Sequence, residues 1–284
     1  MRSLGTILIL TSLLAFAHPA GAVRVDGLKT PESFLIDPVT GHYYISNVNG
    51  KPLENDGNGF ITKLDPSGNA VNLEFILSGR DGVTLNAPKG LLIAGNFLYV
   101  TDIDAVKRFD KETGKFLGTI DFSLLGVRFL NDLAMDGEGK IYVSDMLGDA
   151  VYRFDPSSRD MISVVAKNHA LGNPNGLLFD APRNRLLVAA WGTGEILGLT
   201  LDGKITPLVR KVGKNLDGID FDREGNILVS SFTGGEIYRI RQFSRVEVIR
   251  KNLVTPADIS FDYRHNQILV PSFDGNVAFS LPLK

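Results

Sequence analysis

The sequence contains no cysteine. That absence excludes disulfides, thiolate metal sites, a cysteine nucleophile and lipoprotein attachment. Histidine is scarce, at four residues, and forms no His-rich metal motif. There is no Gly-x-Ser-x-Gly elbow and no P-loop, so a Ser-His-Asp hydrolase is unsupported. Charge of one sign is lacking too: 30 Lys and Arg against 32 Asp and Glu leave a formal net charge of −2. With no basic run, nothing favours nucleic acid or an anionic lipid surface as partner. Long apolar runs are limited to Leu4–Ala17, whose length of about 14 residues falls short of the roughly 20 that span a bilayer. Arg2 precedes that run and the small-residue site Ala20-Gly21-Ala22 follows it. Met1–Ala22 therefore reads as a secretory signal peptide, and residues 23–284 as one domain exported to the periplasm or the cell exterior, with no membrane attachment after cleavage. Loss of Arg2 would take the formal charge to −3. An exported chain without disulfides is held by its core, and roughly 260 residues are enough to build one.

What the sequence does contain is a repeat. A β-run ending in a small or polar residue occurs six times, as Tyr43–Asn47, Leu98–Asp102, Ile141–Asp145, Leu186–Ala190, Ile227–Ser231 and Ile268–Ser272. The last residues of these runs lie 55, 43, 45, 41 and 41 positions apart. A second short run precedes each one: Phe34–Asp37, Leu91–Ala94, Leu133–Asp136, Leu177–Asp180, Ile219–Asp222 and Ile259–Asp262. Turn residues such as Asp136-Gly137-Glu138-Gly139 join the two. A third strand follows, for example Val151–Asp155, and in most copies a fourth, for example Val246–Ile249. Period-2 alternation without helical periodicity identifies strands. Four antiparallel strands in roughly 40–45 residues make the blade of a β-propeller, so the expected fold is all-β with six blades. The last copy stops after its third strand, Val277–Leu283. Val23–Val25, followed by Leu28-Lys29-Thr30-Pro31, matches Val246–Val248 followed by Leu253-Val254-Thr255-Pro256. The N-terminal strand is therefore expected to complete the sixth blade and close the ring. The 55-residue spacing reflects an insertion at Val48–Gly59, in which Asp56-Gly57-Asn58-Gly59 lacks EF-hand spacing and reads as a turn.

Aligned on the first strand of each copy, one column varies: Glu32, Lys89, Asn131, Asn175, Asp217 and Ala257. First strands line the channel of a propeller, so this column forms a ring about the axis. Two carboxylates about 5 Å apart repel by about 3 kcal/mol at an effective dielectric near 20. Bringing Glu32 and Asp217 together thus requires a cation, a shared proton or Lys89 between them. Two carboxylates and two amide oxygens make a hard all-oxygen set suited to Ca²⁺, then Mg²⁺ or Mn²⁺ or another divalent cation; zinc would want nitrogen or sulfur. A plainer reading stands beside this one. Asn or Asp before Gly is ordinary turn chemistry, and Lys89 would neutralise Glu32 without any ion.

The four oxygen-bearing residues resemble the single-metal site of the gluconolactonase/regucalcin (senescence marker protein) family of six-bladed propellers, to which diisopropylfluorophosphatase and paraoxonase are distantly related. Members bind a divalent cation through a Glu of the first blade, two Asn and an Asp. The resemblance places Pro31-Glu32-Ser33 at the glutamate position, Asn131-Asp132 and Asn175-Gly176 at the asparagines, and Asp217-Gly218 at the aspartate. It implies metal-assisted hydrolysis of a lactone or related ester, with Asp217 as general base or nucleophile. Sugar-lactonase members place an Arg two residues before the first Asn, whereas Arg128 lies three before Asn131. Lys89 has no counterpart in that pattern, and both departures bear on the substrate more than on the ion.

Lys89 and Arg128 are the candidate positive contacts to substrate. Second-strand ends share the face of the ring, which adds Asn47, Asp102, Asp145 and Trp191 around the mouth. His169, in the loop leading to Asn175, is a candidate proton shuttle, whereas His42 and His265 fall in turns of the opposite face. Two functions remain open. One is an exported metal-dependent hydrolase of a small lactone or ester; the other is a non-catalytic propeller binding a small molecule or protein, with any metal structural.

Overall fold

The alternating apolar residues of each repeat fold as a four-stranded antiparallel sheet, and six such sheets form a ring. The computed structural model describes residues 22–158 and 161–283. The expected signal peptide lies, up to Gly21, outside the described residues. Among the described residues, the only helical segments are three 3₁₀ turns, and no helix is long and apolar enough to cross a membrane. First strands of neighbouring blades touch one another around the axis. Outer strands such as Met161–Lys167 and Arg245–Arg250 are largely exposed.

Apolar burial sits between blades and not on the axis. Six buried clusters form, each drawn from two adjacent blades. Phe34 and Tyr43 of blade 1, for example, pack with Leu269 and Ala278 of blade 6. Because each sheet packs both faces against its neighbours, the second strands are buried almost end to end, as in Ile141–Asp145 and Leu186–Ala190. The axis is thereby left to the polar starts of the first strands.

Ring closure follows the sequence expectation. Arg24–Val25 pairs antiparallel with Val277–Pro282, Arg24 opposite Phe279 and Val25 opposite Ala278. Val23 donates its N–H to Ser280 Oγ at 2.8 Å, and Val23 and Val25 join the cluster between blades 6 and 1. The outer edge of the last blade is covered, which removes a template for pairing with another chain.

The start of the first strands differs from the expectation. In blades 1, 3, 4 and 5 pairing begins three residues earlier, at Pro31, Leu130, Pro174 and Leu216. The register then shifts by one residue before Phe34, Leu133, Leu177 and Ile219. Each shift is a β-bulge: two residues on the first strand oppose one on the second. Glu32-Ser33, Asn131-Asp132, Asn175-Gly176 and Asp217-Gly218 are the bulged pairs. Four of the six column residues, Glu32, Asn131, Asn175 and Asp217, thus lie inside a paired strand and not in a turn ahead of it. A bulge frees its residues from the ladder and re-aims their side chains.

Candidate functional site

The residues facing the bulges hold them in place. Ser144 Oγ accepts the N–H of Asp132 at 2.9 Å and donates to the carbonyl of Asn175 in the next blade at 2.7 Å. Ser230 repeats this between Gly218 N–H (2.9 Å) and the Ala257 carbonyl (2.7 Å). Thr101 donates to the carbonyl of Asn131. The carbonyls of Asn131, Asn175 and Ala257 are thus each held by a hydroxyl of the preceding blade. Gly176 is required by close approach: a Cβ there would stand 2.3 Å from the carbonyl oxygen of Asp217.

This framework brings five of the six column residues to the floor of one cavity of about 540 Å³, lined by Glu32, Lys89, Asn131, Asn175 and Asp217. All five side chains are buried, at 1–5 % exposure. Glu32 Oε2, Asn131 Oδ1, Asn175 Oδ1 and Asp217 Oδ1 are inaccessible and have no hydrogen-bond partner in the protein. Among the described residues only two other buried side-chain oxygens share that condition, Asn58 Oδ1 and Tyr152 Oη. A buried polar atom left unpaired costs about 1–3 kcal/mol, so four gathered on one cavity floor make a place suited to an electropositive partner, a cation or a shared proton. The Asn175 amide is oriented for this: its Nδ2 points at Met146 Sδ, 3.7 Å away, which turns Oδ1 to the cavity. The donor set fits a hard divalent cation. Among the described residues no group of three or more His, Asp or Glu forms a metal cluster, and half of the donors here are amides.

The electrostatics agree. Burial holds the Glu32 carboxyl well above the usual range, the nearby charges of Asp217 and Asp258 push the same way, and Lys89 opposes them. Asp217 is likewise raised well above its ordinary value, first by burial and then by Asp258. Lys89 is lowered to about 8 by burial, against the upward pull of Asp102 and Glu32. Its Nζ donates to the Ala87 carbonyl at 2.7 Å and lies 4.6 Å from the centre of the Phe129 ring. It makes no ion pair within 4 Å of Glu32 or Asp217, so it does not neutralise the carboxylates by contact.

The remaining candidates separate. Trp191 lines the cavity. Asp102 and Asp145 do not, because loop peptides claim their carboxylates. Asp102 accepts the N–H groups of Asn86, Ala87 and Ile103 at 2.8–3.0 Å; Asp145 accepts those of Arg128, Phe129 and Gly148. Asn47 does the same for Lys29 N–H at 3.0 Å. These second-strand ends clamp the chain arriving from the previous blade. The Arg128 side chain is exposed, bonded to the Leu147 carbonyl, and outside the lining. His169 is fully exposed with Nδ1 2.7 Å from Asp149 Oδ2, also outside the lining. His42 and His265 bond to Thr40 and Asp262 in their own turns.

The structure adds residues that the sequence reading passed over. Phe232 and Phe273 line the cavity beside Trp191, as do Phe129 and Met146. Trp191, Phe232, Phe273 and Met146 each follow immediately after the second strand of a blade. The alignment that found the ring would have found this second column one position beyond the strand end.

No family model matches the chain, and no curated protein does. Solved structures do. A protein provisionally named as a gluconolactonase aligns with a TM-score of 0.67 at 17 % identity over 92 % of each chain. Virginiamycin B lyase from Staphylococcus aureus aligns with a TM-score of 0.63 at 15 % identity, over 93 % of this chain and 99 % of that one. A structure of a nidogen/laminin complex aligns with a TM-score of 0.62 at 17 % identity, over 83 % and 91 %. The likeness is one of fold. At these identities it establishes the propeller and leaves the chemistry to the site.

Proposed function

We propose that the chain is an exported, divalent-metal-dependent hydrolase of a lactone or related ester. The observation that carries this reading is the set of four unpartnered buried oxygens, from blades 1, 3, 4 and 5, on the floor of one cavity. Glu32, Asn131, Asn175 and Asp217 would hold the ion, with Ca²⁺ first and Mg²⁺ or Mn²⁺ behind it. Bound there, the ion supplies Lewis-acid polarisation of the substrate carbonyl.

The chain's own groups do the rest. Asp217 would take a proton from the attacking water and return it to the leaving alkoxide; attack by the carboxylate itself on the acyl carbon is the alternative role. The ammonium of Lys89 meets negative charge developing on the carbonyl oxygen. Its 2.7 Å bond to the Ala87 carbonyl and the Phe129 ring beneath it fix where that charge sits. The apolar walls exclude bulk water and strengthen both interactions. The fold shared with the protein provisionally named as a gluconolactonase supports the reading as analogy.

Chelation followed by assay on a panel of lactones and aryl esters tests the proposal. Activity lost on chelation and restored by Ca²⁺ supports it. A purified protein that contains no metal, gains none from solution and turns over no member of the panel sinks it. Ligand binding retained without turnover returns the chain to the non-catalytic reading.

A further inference from the structure

The cavity above the ring is chemically one-sided. Trp191, Phe232 and Phe273 stand at the same position of blades 4, 5 and 6. They form a continuous series, with ring centroids 5.4 and 5.6 Å apart and interplanar angles of 50° and 62°. All three are half-buried and line the same cavity as Asn175 and Asp217. Met146 fills the same position in blade 3, and the insertion after blade 1's second strand brings Pro52 and Leu53 to the opposite side. Beyond the ring, the only charged or polar side chains on the lining are Lys51 and Asp274. Both are exposed at the rim, and Lys51 is already paired with Glu54 at 2.7 Å.

We infer that this aromatic series is the subsite for a planar apolar group of the substrate, so that the cavity accepts aryl esters and aromatic lactones and rejects polyhydroxylated sugar lactones. The inference rests on the hydrolase reading for its reacting carbonyl and on the aromatic wall for its selectivity. An aromatic ring laid against such a wall gains about 0.5–1.5 kcal/mol per edge or offset contact beyond area burial. A sugar lactone would press its hydroxyls against carbon. Each hydroxyl left without a partner costs about 1–3 kcal/mol, so two of them forfeit on the order of a hundredfold in affinity or more. The ring offers little relief, because four of its oxygens would be committed to the cation. A cavity of about 540 Å³ holds a bicyclic aromatic ester whole.

Trp191 is the only tryptophan of the chain, so its emission reports on this wall alone. The test titrates the Ca²⁺-loaded protein with acetanilide, an amide that mimics phenyl acetate without being turned over. In parallel, kcat/KM is measured for phenyl acetate, 2-naphthyl acetate and glucono-1,5-lactone. The expected result is a saturable shift of Trp191 emission by acetanilide and none by gluconolactone. The Kd for acetanilide should weaken about two- to tenfold in Phe232→Leu and Phe273→Leu. Leucine keeps the apolar volume and so preserves the fold, which an unchanged thermal midpoint verifies. The inference is overturned if acetanilide produces no saturable shift, if gluconolactone displaces it with equal affinity, or if both leucine variants bind as the parent does. Failure of the hydrolase reading looks different: acetanilide binds and depends on Phe232 and Phe273, yet no ester is turned over with Ca²⁺ present.

Discussion

Glu32 and Asp217 are two buried carboxylates with raised proton affinity, and each keeps one oxygen without a partner. Asp217→Asn retains the shape and one oxygen donor but removes the charge and the base. Hydrolysis should fall about 10²–10⁴-fold, with Ca²⁺ binding weakened but measurable by calorimetry; activity within threefold of the parent would remove Asp217 from the chemistry. Lys89 gives an opposite signature. Lys89→Met preserves the stem against Phe129 and removes a positive charge beside Glu32. Ca²⁺ should then bind severalfold tighter while kcat drops, a split that a merely structural lysine would not produce. The ring was legible in the sequence because six copies could be superimposed, which turned Asn175 from a turn residue into a member of a column. Asp102 and Asp145 were not legible in the same way. An acidic residue at a strand end looks alike whether it faces substrate or receives the N–H groups of Asn86 and Ala87. Only the path of the loop decides.

The bulged first strand is the element that converts repeat into site. Gly176 sits where a Cβ would press on the Asp217 carbonyl at 2.3 Å. Gly176→Ala should therefore force blades 4 and 5 apart, at a cost of about 1–3 kcal/mol in urea denaturation, and weaken Ca²⁺ binding because the displaced atom belongs to a ligand residue. The inter-blade seam of blades 5 and 6 carries a pH signal. Asp220 accepts the N–H groups of Phe221 and Phe261, both at 2.7 Å, and burial pushes its carboxyl up to about 6. A carboxyl with a higher pKa folded than unfolded binds more protons in the folded state. Its contribution is complete below the unfolded value, about 4, and is lost as pH rises through about 6. Asp220→Asn should flatten the fall in stability across that window while lowering stability below it, since an amide oxygen and an NH₂ cannot accept both N–H groups. Strand positions were readable from alternation. The bulges were not, because Pro31, Leu130, Pro174 and Leu216 break the two-residue period by the one extra residue that defines a bulge.

At the scale of the whole ring, closure and the proposed ion site are linked. The four oxygen donors come from blades 1, 3, 4 and 5, so only a closed ring presents them together. Blade 1 reaches its place through blade 6: Asp258 donates its N–H to the Glu32 carbonyl at 2.8 Å and accepts from Ser33 Oγ at 2.6 Å. Blade 6 in turn is completed by Arg24–Val25. An ion that binds the folded ring and not the unfolded chain adds about 2.7 kcal/mol at a hundred times its Kd, or roughly 5–10 °C in the melting temperature of a domain this size. Addition of Ca²⁺ should produce that rise and a chelator should reverse it, as followed by calorimetry. Removal of the chain through Val25 should lower the melting temperature, expose the edge of Val277–Pro282 to self-association, and weaken Ca²⁺ binding although no proposed ligand residue is touched. A truncated protein that keeps the parent Ca²⁺ affinity would show that Glu32 is positioned by its own blade, and that the ring need not be closed for the ion to bind.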